Sequence, residues 1–302
     1  MRDERTPMLT DEERDLLPTE ADVRWYAGHG WYLSRKLLTD QEADTLVSAS
    51  ERFYAGHRDR RLPVRPPNLA YWEPSHGPVQ RHNDYVHYES AEIARILRKP
   101  LIGAVAARLA QAGEIRVFQS TLIYKPPLAG EPSNLVPWHA DRHYWQTCTS
   151  ERMLTAFIPF HDCGEEFGTI TIVDGSHLWR EPDGGDDSTR HFAQRDRGEL
   201  ESLLVRTARH NGAEVCKIPM VIPRGHMSFH HCRVYHGSGP NRSGRPRRAL
   251  SFHLQDGENQ WRPFRRPDGS LLSYNHDTVV RPTAEGTPDY ADPDFCPVLW
   301  RS

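Results

Sequence analysis

The chain has 302 residues, with 38 lysines and arginines against 41 aspartates and glutamates and a formal net charge of -3. Its basic residues are spread out rather than gathered into a block that would track a phosphate backbone, so nucleic acid is not an expected partner, and no stretch approaches the ~18 apolar residues of a membrane span. The length suits one domain over residues 1–302; with no apolar leader after the first residues and five widely spaced cysteines lacking any Cys-x-x-Cys pair, the expected setting is the reducing cytoplasm.

Taken in order, residues 1–22 are polar and read as a weakly ordered lead-in. Alternation from Asp22 to Leu33 suggests an early strand. Thr39-Asp40-Gln41-Glu42 then opens a helix, with a capping residue, acids in the first turn and Ala43, Leu46 and Val47 at helical spacing; it ends by Gly56. A second helical stripe runs from about Ser90 to Ala112, and Pro100 kinks or divides it. From Glu114 the period becomes alternating. Strands are expected at Ile115 to Lys125, Arg152 to Phe160, Thr169 to Asp174, Lys217 to Ile222, His226 to Cys232 and Arg247 to Leu254. Many short strands with Gly and Pro turns imply a mainly β fold, a cupin-like jelly roll or double-stranded β-helix, with the helices packed outside. The polar insertions 126–137 and 181–195 read as lid loops, and 256–302 as ordered coil covering one end of the barrel.

The chemistry concentrates at Trp138-His139-Ala140-Asp141 and, far downstream, at His236. A His and an Asp two apart on a strand share a face, and a second His completes two imidazoles and one carboxylate, a set suited to iron(II) with positions left open. His-x-Asp is weak by itself, since His57-Arg58-Asp59 and His82-Asn83-Asp84 repeat it in polar surroundings upstream; these read as surface or supporting residues. A zinc site at Cys232 with His230, His231 and His236 lacks the usual ligand spacing.

The stretch from about Gln119 to His253 resembles the phytanoyl-CoA dioxygenase family of iron(II)- and 2-oxoglutarate-dependent oxygenases, which includes ectoine hydroxylases and natural-product tailoring enzymes. Three blocks carry the likeness: Trp138 to Asp141 with Trp145; Gly168 to His177, with Asp174 where a proline is usual; and His236-Gly237-Ser238 through Asn241 and Ser243 to Arg247. The resemblance implies iron held by His139, Asp141 and His236, with 2-oxoglutarate and dioxygen as co-substrates. It also implies a place for Phe157 against 2-oxoglutarate and substrate-facing places for Gln119, Trp145 and Ser251.

A buried carboxylate of 2-oxoglutarate needs a forked cationic donor, which Arg247 supplies, and Ser238 can add a hydrogen bond. Arg248 is the rival, but neighbouring strand residues face opposite ways. With Arg247 inward, Ala249, Ser251 and His253 line the cavity while Leu250, Phe252 and Leu254 pack outward. Gln119, Thr121, Ile123 and Lys125 share one face of their strand, as do Thr155, Phe157 and Pro159. His143, His230 and His231 are candidate supporting donors, and His177 a structural one.

The expected reaction is hydroxylation of a C–H bond in a small natural-product substrate, releasing succinate and carbon dioxide. Asp141 disfavours halogenation, which requires loss of that carboxylate. No cluster of basic residues marks a site for the phosphates of coenzyme A, although Arg180, Arg190 and Arg195 offer charge to an anionic substrate. Epimerisation, desaturation or cyclisation by the same oxidant remain open, as do a cupin-like isomerase or hydrolase working without 2-oxoglutarate and a non-catalytic binding protein. No feature of the sequence specifies an oligomeric state.

Overall fold

Three capping boxes organise the amino-terminal region. Thr10, Thr19 and Thr39 each accept a bond from the backbone N–H three residues on, and Glu13, Asp22 and Glu42 accept one from the cap's own N–H. In this computed structural model, which describes residues 8–77, 79–127, 135–181 and 196–302, they open helices α1 (Asp11–Asp15), α2 (Glu20–His29) and, after strand β1 (Trp31–Leu33), α3 (Asp40–Tyr54). Two expectations are corrected here. The lead-in is helical from Asp11, and the segment from Asp22 is a helix rather than a strand. The Thr19 box nucleates that helix and Gly30, at a φ of 78°, stops it, leaving only Trp31–Leu33 extended.

Next come β2 (Arg81–Asp84), α4 (Val86–Glu89), α5 (Ala91–Leu97) and α6 (Pro100–Ala110). Pro100 does divide the second helical stripe, standing at the first position of α6 where its missing N–H costs no internal bond. The β-rich half holds β3 (Glu114–Lys125), β4 (Val136–His139), β5 (Leu154–Pro159) and β6 (Ile170–Val173). It continues through α7 (Arg197–His210), β7 (Lys217–Pro219), β8 (Ser228–His231), β9 (His236–Ser238), β10 (Arg247–Asp256), α8 (Asn275–Val279) and β11 (Val298–Arg301). Helix α7 was not anticipated; Asp196 caps it, and Leu200, Leu203 and Leu204 bury its inner face. Most of both expected lid loops, 128–134 and 182–195, lies outside the described residues, while Val136 and Pro137 belong to β4.

Among the described residues, the strands form two antiparallel sheets. The larger runs β1-β8-β5-β10-β3-β11 with β2 also paired to β3, and the smaller runs β4-β9-β6-β7. Alternation along β10 decides which side chains go where. Leu250, Phe252 and Leu254 point outward into the core shared with α3, α5 and α6, whereas Ala249 packs inward with Phe157, Ile123, Ile170 and Ile172 between the sheets. The five cysteines are free thiols, and no helix among the described residues is long and apolar enough to cross a membrane.

The carboxy-terminal segment is more than coil. Strand β11 pairs with the start of β3, α8 follows Tyr274, and Phe295 stacks on Tyr88 at 4.3 Å. His87 ties this segment down: its ring bonds Ser120 Oγ at 2.7 Å and the Phe295 carbonyl at 2.9 Å. Donation to that carbonyl from Nε2 leaves Nδ1 to accept the serine proton, an arrangement of the neutral ring. Burial lowers the His87 pKa to about 4, helped by the charges of Arg98 and Arg60 and opposed by the Phe295 bond; burial likewise takes nearby His276 down to about 3.

A folded pKa below the unfolded one means that both rings stabilise the fold fully above pH ~6.5, and that the contribution is lost as pH falls from there towards 4. The unfolding free energy from urea titration should therefore drop by up to about 1.4 kcal/mol per pH unit for each histidine in that window. His87→Gln should flatten the profile by one such share.

Candidate functional site

The pairing of β4 with β9 brings the two distant motifs together, with His139 opposite His236 in register and their rings 4.2 Å apart. Asp141 has already left the strand and opens a short 3-10 turn. Ala140 stays extended at φ -116° and ψ 134°, so the same-face relation of residues two apart carries through. Asp141 Oδ1 lies 3.9 Å from His139 Nε2 and 3.7 Å from His236 Nε2, all three side chains being buried. Both imidazoles are fixed from behind: His139 Nδ1 lies 2.8 Å from the Pro137 carbonyl and His236 Nδ1 3.0 Å from that of Val234. A carbonyl accepts only, so each Nδ1 carries the proton and each Nε2 turns a lone pair to the centre.

The second oxygen of Asp141 is occupied. Thr155 donates to Oδ2 at 2.7 Å, so its oxygen must accept from His253 Nδ1 at 2.8 Å. Burial acts to raise the Asp141 pKa, but the surrounding imidazoles of His236, His230 and His253 outweigh it and hold the carboxyl well below its usual range. His230 and His253 are pushed down to about 4 by burial and are neutral at physiological pH. Asp141 is thus a carboxylate with one oxygen committed and one presented.

A second feature lies where β10 meets the end of β3. Arg247 and Lys125 face each other in register, both buried. Arg247 donates from Nη1 to the Gly168 carbonyl, has a buried Nε with no partner, and stands 5.3 Å over the Phe157 ring. Lys125 donates to Ser238 Oγ and to the Gly239 carbonyl, each at 2.7 Å, leaving the serine hydrogen available to another acceptor. Neither cation has a carboxylate partner among the described residues. Burial takes Arg247 down to about 10, so it stays charged; burial and then the Arg247 charge hold Lys125 well below an ordinary lysine.

One cavity joins the two features. His139, Asp141, His236, Arg247, Ser238, Phe157, Gln119, Trp145 and Ser251 all line it, so every site position expected from the sequence is brought to the same place. Trp145 meets His253 edge-on at 5.0 Å, and Gln119 Oε1 accepts from the Tyr274 hydroxyl at 2.6 Å. Arg248 faces the other way and pairs with Glu51 at 3.0 Å.

Other histidines and charges sort differently. His230 packs against the cluster as a supporting residue, but His143 turns to Glu181 at 2.9 Å, and neither His143 nor His231 lines the cavity. His177 bonds the Ala27 carbonyl, a structural tie to α2. His57 and Asp59 are exposed, whereas His82 and Asp84, expected at the surface or in support, reach the cavity wall from β2. Cys232 points to the Glu151 carbonyl and takes no part in the one metal-capable cluster among the described residues. Arg180 lies off the cavity, and Arg190 and Arg195 fall outside the described residues. The sequence reading missed the roles of Thr155, Lys125 and Tyr274. Strand parity signals the first two, since each shares a face with a named cavity residue; nothing local signals Tyr274.

Comparison with known proteins bears on this geometry. The profile described as "Phytanoyl-CoA dioxygenase (PhyH)" matches residues 27–249. The chain is 22% identical over 254 residues to the peroxisomal phytanoyl-CoA dioxygenase of Bos taurus, covering 81% of this chain and 70% of that one. It is 31% identical over 137 residues to a probable alpha-ketoglutarate-dependent hypophosphite dioxygenase of Stutzerimonas stutzeri, covering 45% and 43%. The chain spans about two thirds or less of the length of most of these relatives, 66% for the Rattus norvegicus enzyme. Among solved structures, the epimerase SnoN in complex with Fe3+, alpha ketoglutarate and nogalamycin RO matches with a TM-score of 0.67 at 24% identity, covering 93% of this chain and 98% of that one. EctD from S. alaskensis with 2-oxoglutarate and 5-hydroxyectoine matches at 0.61 and 18%, covering 86% and 82%. At such identities the likeness is one of fold, and it agrees with the sheets and flanking helices seen here. Because the family profile extends over most of its length, this chain belongs to the phytanoyl-CoA dioxygenase family.

Proposed function

We propose that the protein is a non-haem iron(II)- and 2-oxoglutarate-dependent dioxygenase, folded as a jelly roll, that hydroxylates a C–H bond of a small natural-product substrate with release of succinate and carbon dioxide. The observation that carries this reading is the presence, in one cavity, of a buried two-imidazole, one-carboxylate donor set beside a buried guanidinium with no acid partner among the described residues. His139 Nε2, His236 Nε2 and Asp141 Oδ1 converge from one side, with both imidazole tautomers already set for metal binding. Such a facial set fits iron(II), since it leaves positions for a chelating co-substrate and dioxygen.

Bound iron(II) would supply the activation of dioxygen at the expense of the keto acid. The chain's own residues do the rest. Thr155 holds one oxygen of Asp141 so that the carboxylate presents the other. Arg247, with Lys125 and the Ser238 hydroxyl, receives the distal carboxylate of 2-oxoglutarate and completes a charge that is otherwise unpaired. Phe157, Ile123 and Ile170 keep water from that carboxylate, and Gln119, Trp145 and Ser251 face the substrate.

A natural-product substrate is supported by the similar structures, among them the carbocyclase SnoK and the epimerase SnoN from nogalamycin biosynthesis. Those two also keep ring closure and epimerisation open as alternatives. A metal isomerase or hydrolase working without 2-oxoglutarate would leave Arg247 and Lys125 without a purpose.

Three measurements test this reading. Anaerobic calorimetry should show one iron(II) bound per chain, with binding lost in Asp141→Ala and weakened on the order of 10- to 100-fold in Thr155→Val, which frees the carboxylate to rotate. Arg247→Ala should retain iron but weaken 2-oxoglutarate by at least ~30-fold, the ~2 kcal/mol or more expected when a buried charge pair loses one member, and Arg247→Lys should recover only part. Full turnover of a substrate by Arg247→Ala would favour the reading without 2-oxoglutarate.

A further inference from the structure

The function proposed above uses one charged end of the cavity and leaves the other without a ligand. Phe157, Ser251, Thr121 and Asp84 stand opposite one another across four adjacent strands, β5, β10, β3 and β2. That row covers three strand spacings, roughly 14 Å at ~4.8 Å each. Arg247 lies on β10 near one end, over Phe157, and a carboxylate closes the other. Asp84 is 6% exposed and lines the cavity. Both its oxygens are held by neutral donors, Oδ1 by the Thr121 hydroxyl at 2.7 Å and Oδ2 by the Ala70 N–H at 3.2 Å. No cationic side chain among the described residues forms an ion pair with it.

A buried carboxylate supported only by neutral groups is as incomplete as a buried guanidinium without an acid. Burial pushes the Asp84 carboxyl up to about 6 against the hydrogen bonds of Thr121, Ala70 and Gln119, the mark of a charge lacking its counter-ion. The surroundings suit a cation as well as an acid can. The aromatic ring of Tyr274 lies in the same wall, its hydroxyl committed to Gln119. The Asn275 amide donates to the Asn68 carbonyl at 3.1 Å, joining the start of α8 to the segment before β2, and both residues line the cavity with Asp84.

We propose that Asp84 is the recognition site for a protonated amine on the substrate, so that the enzyme acts on amine-bearing molecules whose nitrogen docks between β2 and Tyr274. The inference rests on the oxygenase reading only in taking the occupant to be the substrate. The dicarboxylate co-substrate is repelled from Asp84 and drawn to Arg247, so the two ends of the cavity sort the two ligands by charge.

The test compares benzylamine with benzyl alcohol, two probes of one shape, by calorimetry on metal-free protein at about pH 7.5. Wild type should bind the amine at least about tenfold more tightly, as a charge-assisted bond requires, and Asp84→Asn, checked for folding by thermal unfolding, should bring the two within about twofold. Equal affinities in the wild type, or an amine preference that survives in Asp84→Asn, overturn the proposal. If that variant does not fold, Asp84→Ser takes its place, because Asp141 lines the same cavity and only a change at Asp84 separates the two carboxylates. Neither iron nor keto acid enters this measurement. Failure of iron-loaded protein to bind 2-oxoglutarate, read separately, would sink the oxygenase reading; equal probe affinities with 2-oxoglutarate binding intact sink only the amine site.

Discussion

Charge buried in a cavity wall without an opposite charge beside it among the described residues is the constraint on which the rest of this structure depends. Arg247 and Lys125 lie side by side with no acid partner among the described residues, and their partners there are carbonyls and a hydroxyl that soften the cost of burial without cancelling it. A domain meant only to be stable would replace such groups with hydrocarbon, because burying like charges together subtracts from stability. Their retention makes sense when a ligand completes them, and then the same desolvation that weakens the empty fold strengthens ligand binding.

The sheets convert that constraint into geometry. Register between β3 and β10 sets Lys125 against Arg247, register between β4 and β9 sets His139 against His236, and the packing of Phe157, Ile170 and Ile172 holds the two sheets at one separation. The imidazoles are aimed from behind by the carbonyls of Pro137 and Val234, and Asp141 by Thr155, so the protein's own hydrogen bonds set the arrangement. Preorganisation of this kind belongs on strands, whose alternation fixes direction as well as position.

Much of the site was legible because strands enforce that alternation. Period two sets Arg247 and Arg248 on opposite faces, and the small and polar residues in step with Arg247 mark its face as the inward one, while the places of Gln119, Ser251 and Phe157 at the cavity were implied by the family resemblance. The His139 and Asp141 pair was separable from its upstream copies only by context, and one copy, at His82 and Asp84, still reaches the cavity because β2 adds to the edge of β3. What alternation does not encode is which distant segments become neighbours. Tyr274 enters from the carboxy-terminal segment through a hydroxyl bond to Gln119, a contact spanning more than 150 residues of sequence. The helix α2 was misread because the aromatics at Trp25, Tyr26, Trp31 and Tyr32 mimic a strand, while the Thr19 capping box that decides the matter is a local hydrogen-bond pattern.

The bridge between Asn275 and Asn68 has a consequence for how this cavity diversifies. It joins two segments that contribute none of the three converging donors and neither buried cation, yet both line the cavity. Substitutions in these outlying segments would therefore reshape the space offered to a guest while leaving the three donors and the two cations between the sheets in place.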